Sequence, residues 1–252
     1  MMKHKYLILN SYFSKHLRSI CVLLALLSGL SAAHAATPAY TAAPASSTIT
    51  YNLFRNGLML GTITEQFEIK DGQYRATSEA RATGVLALVQ REPARYISTG
   101  AVTKEGLRPQ RFEGHHRGKS LSADFDWANK KLTLVHDGLN HALALPAGTQ
   151  DRLSIMYQLM FIASGKTSEL EVDVTNGRKL SHYRYSVQPN VTIDTPFKRL
   201  NTTHLTRQHA PDESGTEVWI APEYSNLPVK VIIIEDDGDR YEQIATRVEI
   251  KP

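Results

Sequence analysis

The clearest pattern along the chain is an alternation of apolar and polar side chains with a period of two. In residues 121–127 (LSADFDW), apolar or small residues occupy the odd positions and polar residues the even ones. The opposite parity runs through residues 169–174 (ELEVDV), and similar alternation is present in residues 183–187 and 244–250. Such alternation is typical of antiparallel strands that have one buried and one solvated face. These segments therefore predict half-buried strands.

Residue pairs suited to tight turns separate these strands. Asn-Gly and Asp-Gly pairs tolerate the positive φ angles of two-residue hairpins. Such pairs occur at residues 56–57, 71–72, 137–138, 176–177 and 237–238. The pattern predicts a mainly β fold, a curled antiparallel sheet or half-open barrel of roughly a dozen strands, because flat sheets of that size are uncommon.

Residues 151–163 (DRLSIMYQLMFIA) break the alternation. Asp151 is suited to capping a first helical turn, and Ser164-Gly165 is suited to ending the helix. The segment is apolar nearly all round, which in a globular domain indicates a helix enclosed on more than one side. We therefore expect the sheet to wrap around one buried helix. A second apolar segment, residues 84–90, is expected to cover a sheet edge or to act as a lid.

The N-terminal region has the features of a secretory signal. Basic residues precede the apolar run at residues 20–27, and Ala33-His34-Ala35 offers a cleavage site. We expect a cleaved signal peptide over residues 1–35, a flexible tether over residues 36–47 and a single domain over residues 48–252. The apolar run is well below the ~20 residues that span a bilayer, so a retained membrane anchor is the weaker alternative. These features predict a periplasmic protein without a transmembrane span after cleavage.

Cysteine and charge narrow the chemistry further. The only cysteine, Cys21, lies in the expected signal, so the exported domain offers no thiolate nucleophile and no cysteine ligand for a metal. Residues 1–35 hold four of the 29 basic residues and none of the 25 acidic ones, so the remainder has 25 of each. Nucleic-acid binding proteins normally carry a basic surplus. Nucleic acid is therefore not expected as a partner.

Four sequence blocks resemble an exported bacterial family known as domain of unknown function 3108. The blocks are Glu105–Phe112, Phe125–Trp127, Gly148–Leu159, and Glu217–Pro222 with Leu227–Val229 and Asp237-Gly238. The resemblance extends from about Tyr51 to Ile250 and implies a bacterial envelope protein of mainly β structure, without an established activity or catalytic residues. A curled sheet with an inserted helix is also similar to periplasmic carriers of lipoproteins and lipids, although fold-level analogy says little about function.

Two acidic residues and two histidines are candidates for catalytic or metal-binding groups. Asp124 and Asp126 lie ~7 Å apart on one strand face, near the spacing of inverting glycoside hydrolases, but a solvated surface role is favoured. His136 and His141 flank the turn at Asp137-Gly138 and provide only two clear zinc ligands.

Other polar candidates also have ordinary structural explanations. His115 and His116 point to opposite strand faces. Ser154 lacks a nucleophile elbow and is expected to bond locally to backbone. Asp151 and Arg152 are expected to form a cap and a neighbouring ion pair. No cofactor or metal is expected.

Large aromatic and methionine side chains are the candidates for ligand binding. On a concave sheet they can fill the core or line an apolar pocket. The expected ligand-binding residues are Trp127, Met156, Met160, Tyr183, Tyr185 and Trp219. We therefore expect a non-enzymatic envelope protein that binds an amphipathic ligand (a lipid or acylated molecule) or an envelope protein, within or at the rim of the curved sheet. An envelope hydrolase and an assembly scaffold are the alternatives.

Overall fold

The structure, a computed structural model, describes residues 43–89, 92–116, 118–161, 167–209 and 213–251. The expected signal peptide lies outside these residues. The described residues contain fifteen strands, three more than a dozen. The strands are β1 Ser46–Arg55, β2 Leu58–Lys70, β3 Gln73–Ala82, β4 Ala94–Thr103, β5 Gly106–His116, β6 Lys119–Asp126, β7 Lys131–His136, β8 Leu139–Ala144, β9 Gln150–Asp151, β10 Glu169–Thr175, β11 Leu180–Asp194, β12 Arg199–Arg207, β13 Gly215–Ala221, β14 Leu227–Ile234 and β15 Arg240–Lys251.

All fifteen strands belong to one open sheet in the order β8-β7-β6-β5-β4-β3-β2-β1-β15-β14-β13-β12-β11-β10-β9. Neighbouring strands are antiparallel except β9 and β10, which are parallel. The predicted turn pairs at residues 56–57, 71–72 and 137–138 have positive φ at both positions, as expected for two-residue hairpins. The expected tether covers residues 36–47, but β1 already begins at Ser46. The last two residues of that range therefore belong to a strand.

The chain connectivity requires this sheet to curl. β8 and β9 lie at opposite ends of the strand order, yet only residues 145–149 connect them. Fifteen strands laid flat would be roughly 65 Å wide, whereas the connection spans at most roughly 20 Å. Side chains bridge the two ends: the Gln150 side-chain amide donates to the Leu107 carbonyl at 2.9 Å, and Arg178 donates to Asp137 at 2.6 Å. The sheet is therefore open in its pairing and curled in shape.

The helix expected over residues 151–163 is much shorter in the structure. This helix, α2, covers Ser154–Gln158 and is followed by one 3-10 turn at Leu159–Phe161. Another helix, α1, covers Leu86–Val89. Residues 162 and 163 lie outside the described part of the chain. The helix begins late because Asp151 is still extended in β9, where it is paired with Thr175 of β10. The prediction of a 13-residue helix is thus wrong in extent.

Buried side chains form two clusters that meet at α2. The larger cluster combines inner positions of β1–β3, β5–β7 and β12–β15 with Leu153, Tyr157 and Met160. The smaller one combines Leu159 with inner positions of β11–β14. Met156 packs against both clusters. The segment from Leu153 to Met160 therefore contributes to both clusters.

Candidate functional site

A buried carboxyl group lies on the inner face of β2. Glu65 occupies the inward phase between Ile63 and Phe67 and is only 8% exposed. Its Oε2 accepts a hydrogen bond from the Tyr157 hydroxyl at 3.3 Å. Burial raises the pKa of Glu65 to about 7, although hydrogen bonds from Ser78 and Tyr157 and the charge of Arg152 oppose the shift. Both the protonated and the ionised carboxyl are therefore populated near neutral pH.

A second buried carboxyl group, Asp151, lies where β9 leads into α2. Its Oδ1 accepts the backbone N–H groups of Leu153 at 2.9 Å and Ser154 at 2.8 Å, and its Oδ2 accepts the Ser98 hydroxyl at 2.6 Å. Burial raises the pKa of Asp151, and these hydrogen bonds oppose the rise. The N-cap of α2 is Leu153 rather than the expected Asp151, because the helix begins at Ser154, but the Asp151 carboxyl group still accepts hydrogen bonds from the N–H groups of Leu153 and Ser154.

Arg152 and Ser154 complete this polar region. The Arg152 guanidinium lies 4.6 Å from the Tyr96 ring centroid, a cation–π contact in place of the expected ion pair with Asp151. The Ser154 hydroxyl accepts the Asp151 backbone N–H at 2.9 Å, which confirms its local bonding. The Tyr157 ring stacks on Phe67 with centroids 4.5 Å apart. These contacts fix α2 against β2 and β4, so the polar region positions the helix.

Glu65 is not among the residues expected from the sequence to form a site, although the sequence of β2 contains one signal for it. In residues 63–69 (ITEQFEI), the odd positions are isoleucine, glutamate, phenylalanine and isoleucine. An acidic residue in phase with an apolar face is the signature of a buried carboxyl group.

The expected ligand-binding residues divide between the two clusters. Met160 and Trp219 belong to the larger cluster, with Trp127 packed against it. Tyr185 belongs to the smaller one, with Tyr183 packed against it. Several already have polar partners: the Trp127 indole N–H donates to the Pro109 carbonyl at 2.6 Å, and Arg207 lies 3.8 Å from the Tyr183 ring centroid. The structure therefore does not bring these six side chains together at one place.

Trp219 is held between charged and polar neighbours from adjacent strands. His204 stacks on its ring at 4.1 Å, and the Lys230 ammonium lies 5.2 Å from the ring centroid. His204 bonds to Glu217 at 2.8 Å, and Lys230 pairs with Glu242 at 3.1 Å. The mutual pairing of these groups accounts for their half-buried positions.

The catalytic and metal candidates of the sequence analysis occupy ordinary structural positions. Asp124 pairs with Arg111, and Asp126 accepts the Asn129 backbone N–H at 3.0 Å. His136 and His141 do face each other, with ring centroids 4.9 Å apart. Within the described ranges, no group of three His, Cys, Asp or Glu side chains is placed to hold a metal ion.

Five exposed apolar side chains lie at one rim of the sheet, and we call them the rim patch. They are Leu58, Met59, Val85, Leu86 and Leu88. Val85 is 80% exposed, Leu88 70% and Leu58 69%. Leu58 and Met59 begin β2, and the other three lie in the β3–β4 connection that contains α1. Pairing of Gly61 with Ala82 brings the two segments together.

A backbone hydrogen bond joins the two segments of the rim patch. The Thr83 N–H donates to the Leu60 carbonyl at 3.0 Å, one residue beyond the last strand pair. The expectation that residues 84–90 cover a sheet edge is not met by the described part of this segment, since Val85 and Leu88 are exposed. Nearby arginines are paired: Arg95 with Glu79 at 2.8 Å, and Arg55 with Asp239. These two arginines are therefore already neutralised by acidic partners.

Among the helices that the structure describes, none has the length and apolar character needed to cross a bilayer.

Comparison with known proteins identifies the family and the fold. A search of curated proteins gave no match. The crystal structure of a β-barrel-like protein of domain of unknown function DUF1849 from Brucella abortus is similar, with a TM-score of 0.50 and 9% sequence identity. The similarity covers 83% of this chain and 99% of the other, and shows the fold alone. The family model for the protein of unknown function DUF3108 matches residues 46–244, so the chain belongs to that family.

Proposed function

We propose that this chain is a non-enzymatic binding protein of the bacterial cell envelope that binds lipid acyl chains through its rim patch. The main observation that supports this proposal is the rim patch. Five apolar side chains from two neighbouring connections are exposed together, and three of them are more than two-thirds exposed. Clustered exposed apolar side chains are characteristic of interaction surfaces, whereas isolated ones are common on any protein.

The location of the patch favours a lipid over a protein partner. Leu58 directly follows the Asn56-Gly57 turn, and α1 is a single turn whose described flanks are apolar. Apolar side chains on short connections at one rim can enter the acyl boundary of a bilayer without a matching pocket. Because Arg55 and Arg95 are already paired with acidic groups, apolar insertion provides the main attraction.

The expected periplasmic location is part of the proposal. An exported chain meets envelope lipids directly, and the signal-like residues 1–35 support export. The buried polar region has a supporting role, because its contacts fix α2 against β2 and β4.

Vesicle sedimentation tests this function. The full chain is expressed with its leader, purified from the periplasmic fraction and mixed with phosphatidylethanolamine–phosphatidylglycerol vesicles. We expect binding that is largely retained at high salt, and a loss of at least about tenfold in affinity for the double variant Val85→Asp/Leu88→Asp, because charged groups resist entry into the acyl region.

Ala128→Asp is the matched control, since Ala128 is an exposed residue of the turn between β6 and β7, at the opposite rim of the sheet from the patch. It should bind vesicles as the unmodified chain does. Equal binding by the double variant and the unmodified chain would refute the assignment to the rim patch.

A further inference from the structure

The terminal strand β8 is exposed along its whole length. All six of its residues are exposed, and within the described residues it pairs with β7 alone. The strand at the other end of the sheet, β9, has only two residues, and both are buried. A free strand edge presents unpaired N–H and C=O groups that can accept another strand.

β8 has none of the usual protections against such pairing. Its sequence, LNHALA, contains no charged residue and no proline. Its register with β7 is regular from Lys131–Ala144 to His136–Leu139, without a bulge. Natural sheets usually block free edges with lysine, proline or bulges. This edge is therefore competent to pair.

The buried face of the sheet continues onto β8 without a cover. Leu132 and Leu134 of β7 are fully buried, and they pair with Leu143 and His141 on the same face. Leu143 is nevertheless 39% exposed, and Leu139 is 58% exposed. A further strand beside β8 would cover these two leucines.

The hairpin geometry fixes which backbone groups are available. The two-residue turn at Asp137-Gly138 makes His136 and Leu139 a hydrogen-bonded pair. Leu139, His141 and Leu143 therefore direct their N–H and C=O groups to β7. Asn140, Ala142 and Ala144 direct theirs outward.

We propose that β8 pairs antiparallel with β8 of a second copy of this chain, with the two-fold axis at His141. In this register Asn140 of each copy exchanges hydrogen bonds with Ala142 of the other. Leu139 of each copy lies opposite Leu143 of the other, on the same face as the core. The strand matches itself, since leucine meets leucine and the absence of charge avoids like-charge repulsion.

Sedimentation velocity over a wide concentration range tests the pairing. The interface is small, so we expect a reversible dimer whose fraction rises with concentration. Ala142→Pro removes one outward N–H and leaves the β7 pairing intact, so this variant should remain monomeric at every concentration. A purely monomeric unmodified chain would overturn the proposal, as would a dimer that Ala142→Pro does not weaken.

A pair of charge variants tests the register. In Leu139→Lys/Leu143→Lys, lysines meet lysines across the axis, and the dimer should be lost. In Leu139→Lys/Leu143→Glu, each lysine meets a glutamate of the other copy, and the dimer should be retained at low salt. Both double variants alter the same exposed positions. Equal loss in both would exclude this register and favour another occupant of the edge, such as residues 1–42 or a different protein.

Cross-linking provides a direct readout in a Cys21→Ser background. His141 faces its own copy across the axis as a non-hydrogen-bonded pair, whose Cα atoms are about 4.5 Å apart. His141→Cys should therefore form a disulfide-linked dimer on oxidation, at least about tenfold faster than Asn140→Cys, whose opposite residue is Ala142. Equal rates for the two cysteines would contradict the proposal.

Discussion

At the scale of single residues, Glu65 combines deep burial with an ionisable group. Its carboxyl group is enclosed between Ile63 and Phe67 and has hydrogen-bond partners in Tyr157 and Ser78. The polar partners reduce the cost of burying the charge without removing it, so the pKa rises. The fold therefore favours the protonated form of this side chain.

This shift predicts a pH dependence of stability. The pKa of Glu65 is about 7 in the folded chain, against an ordinary value of 4.5. The stabilisation is complete below about pH 4.5 and is lost as the pH rises through about 7, a change of about 3 kcal/mol in the free energy of unfolding. Glu65→Gln should reduce the loss measured by urea unfolding between about pH 5 and pH 9 by that amount. Glu68→Gln, at an exposed position of β2, should follow the unmodified chain.

Parallel unfolding profiles for Glu65→Gln and the unmodified chain would contradict this description of the buried carboxyl group. The alternation in β2 could have predicted the inward position of Glu65. It could not have predicted the partners, because Tyr157 is 92 residues away along the chain and meets Glu65 only through the tertiary fold.

At the scale of elements, the junction between β9 and α2 depends on one side chain. Asp151 accepts hydrogen bonds from the Leu153 and Ser154 N–H groups and from the Ser98 hydroxyl. All three donors bond to the same buried carboxyl group. Truncation of Asp151 would therefore remove several hydrogen bonds of the junction at once.

Asp151→Ala should therefore lower the free energy of unfolding by at least about 2 kcal/mol, because it leaves buried donors unpaired. Asp126→Ala is the matched control, since Asp126 also accepts a backbone N–H, from Asn129, but at the surface. It should cost clearly less. Equal losses in thermal or urea unfolding would show that burial at Asp151 adds nothing.

The sequence predicts strands better than it predicts this helix. Strands β6, β10 and β15 follow from alternation, because each has one solvated and one buried face. The segment from Leu153 to Phe161 contacts two clusters, so its apolar residues do not follow a single face. Its late start follows from pairing of Asp151 with Thr175 in β10, a contact between distant parts of the chain.

At the scale of the whole molecule, the curl of the sheet brings the β10–β11 turn against β5 and β6. A side chain at Gly177 would meet Leu121 at 2.4 Å and Phe112 at 3.3 Å. The Arg178–Asp137 ion pair lies at the same junction. The alternation predicts a curled sheet. The place where the β10–β11 turn contacts β5 and β6 depends on the register of all fifteen strands, so it cannot be deduced from local patterns.

A pair of glycine variants tests this contact. Gly72 and Gly177 both have positive φ, but a side chain at Gly72 would have nothing within 4 Å. Gly72→Ala should cost about 1–2 kcal/mol in the free energy of unfolding, because of the backbone conformation alone. Gly177→Ala should cost about 1–3 kcal/mol more, because Leu121 must also move. Equal costs would indicate that the two ends of the sheet do not meet as described.

The rim patch, too, can be predicted only in part from the local sequence. Residues 84–90 are recognisable as an apolar segment without strand character. Leu58 and Met59 are not recognisable as their neighbours, because the proximity arises from pairing of Gly61 with Ala82. A surface made by two connections is visible only in the folded chain.

Depth measurement by a spin label tests the central claim, that the rim patch enters lipid, most directly. In a Cys21→Ser background, a nitroxide at Leu88→Cys is compared with one at Ala128→Cys, in the exposed turn between β6 and β7, as vesicles of phosphatidylethanolamine and phosphatidylglycerol are added. We predict that the label at residue 88 becomes accessible to oxygen and protected from a water-soluble nickel complex, whereas the label at residue 128 stays aqueous. A label at residue 88 that stays aqueous on vesicle-bound protein, or a chain that does not bind the vesicles, would contradict the claim.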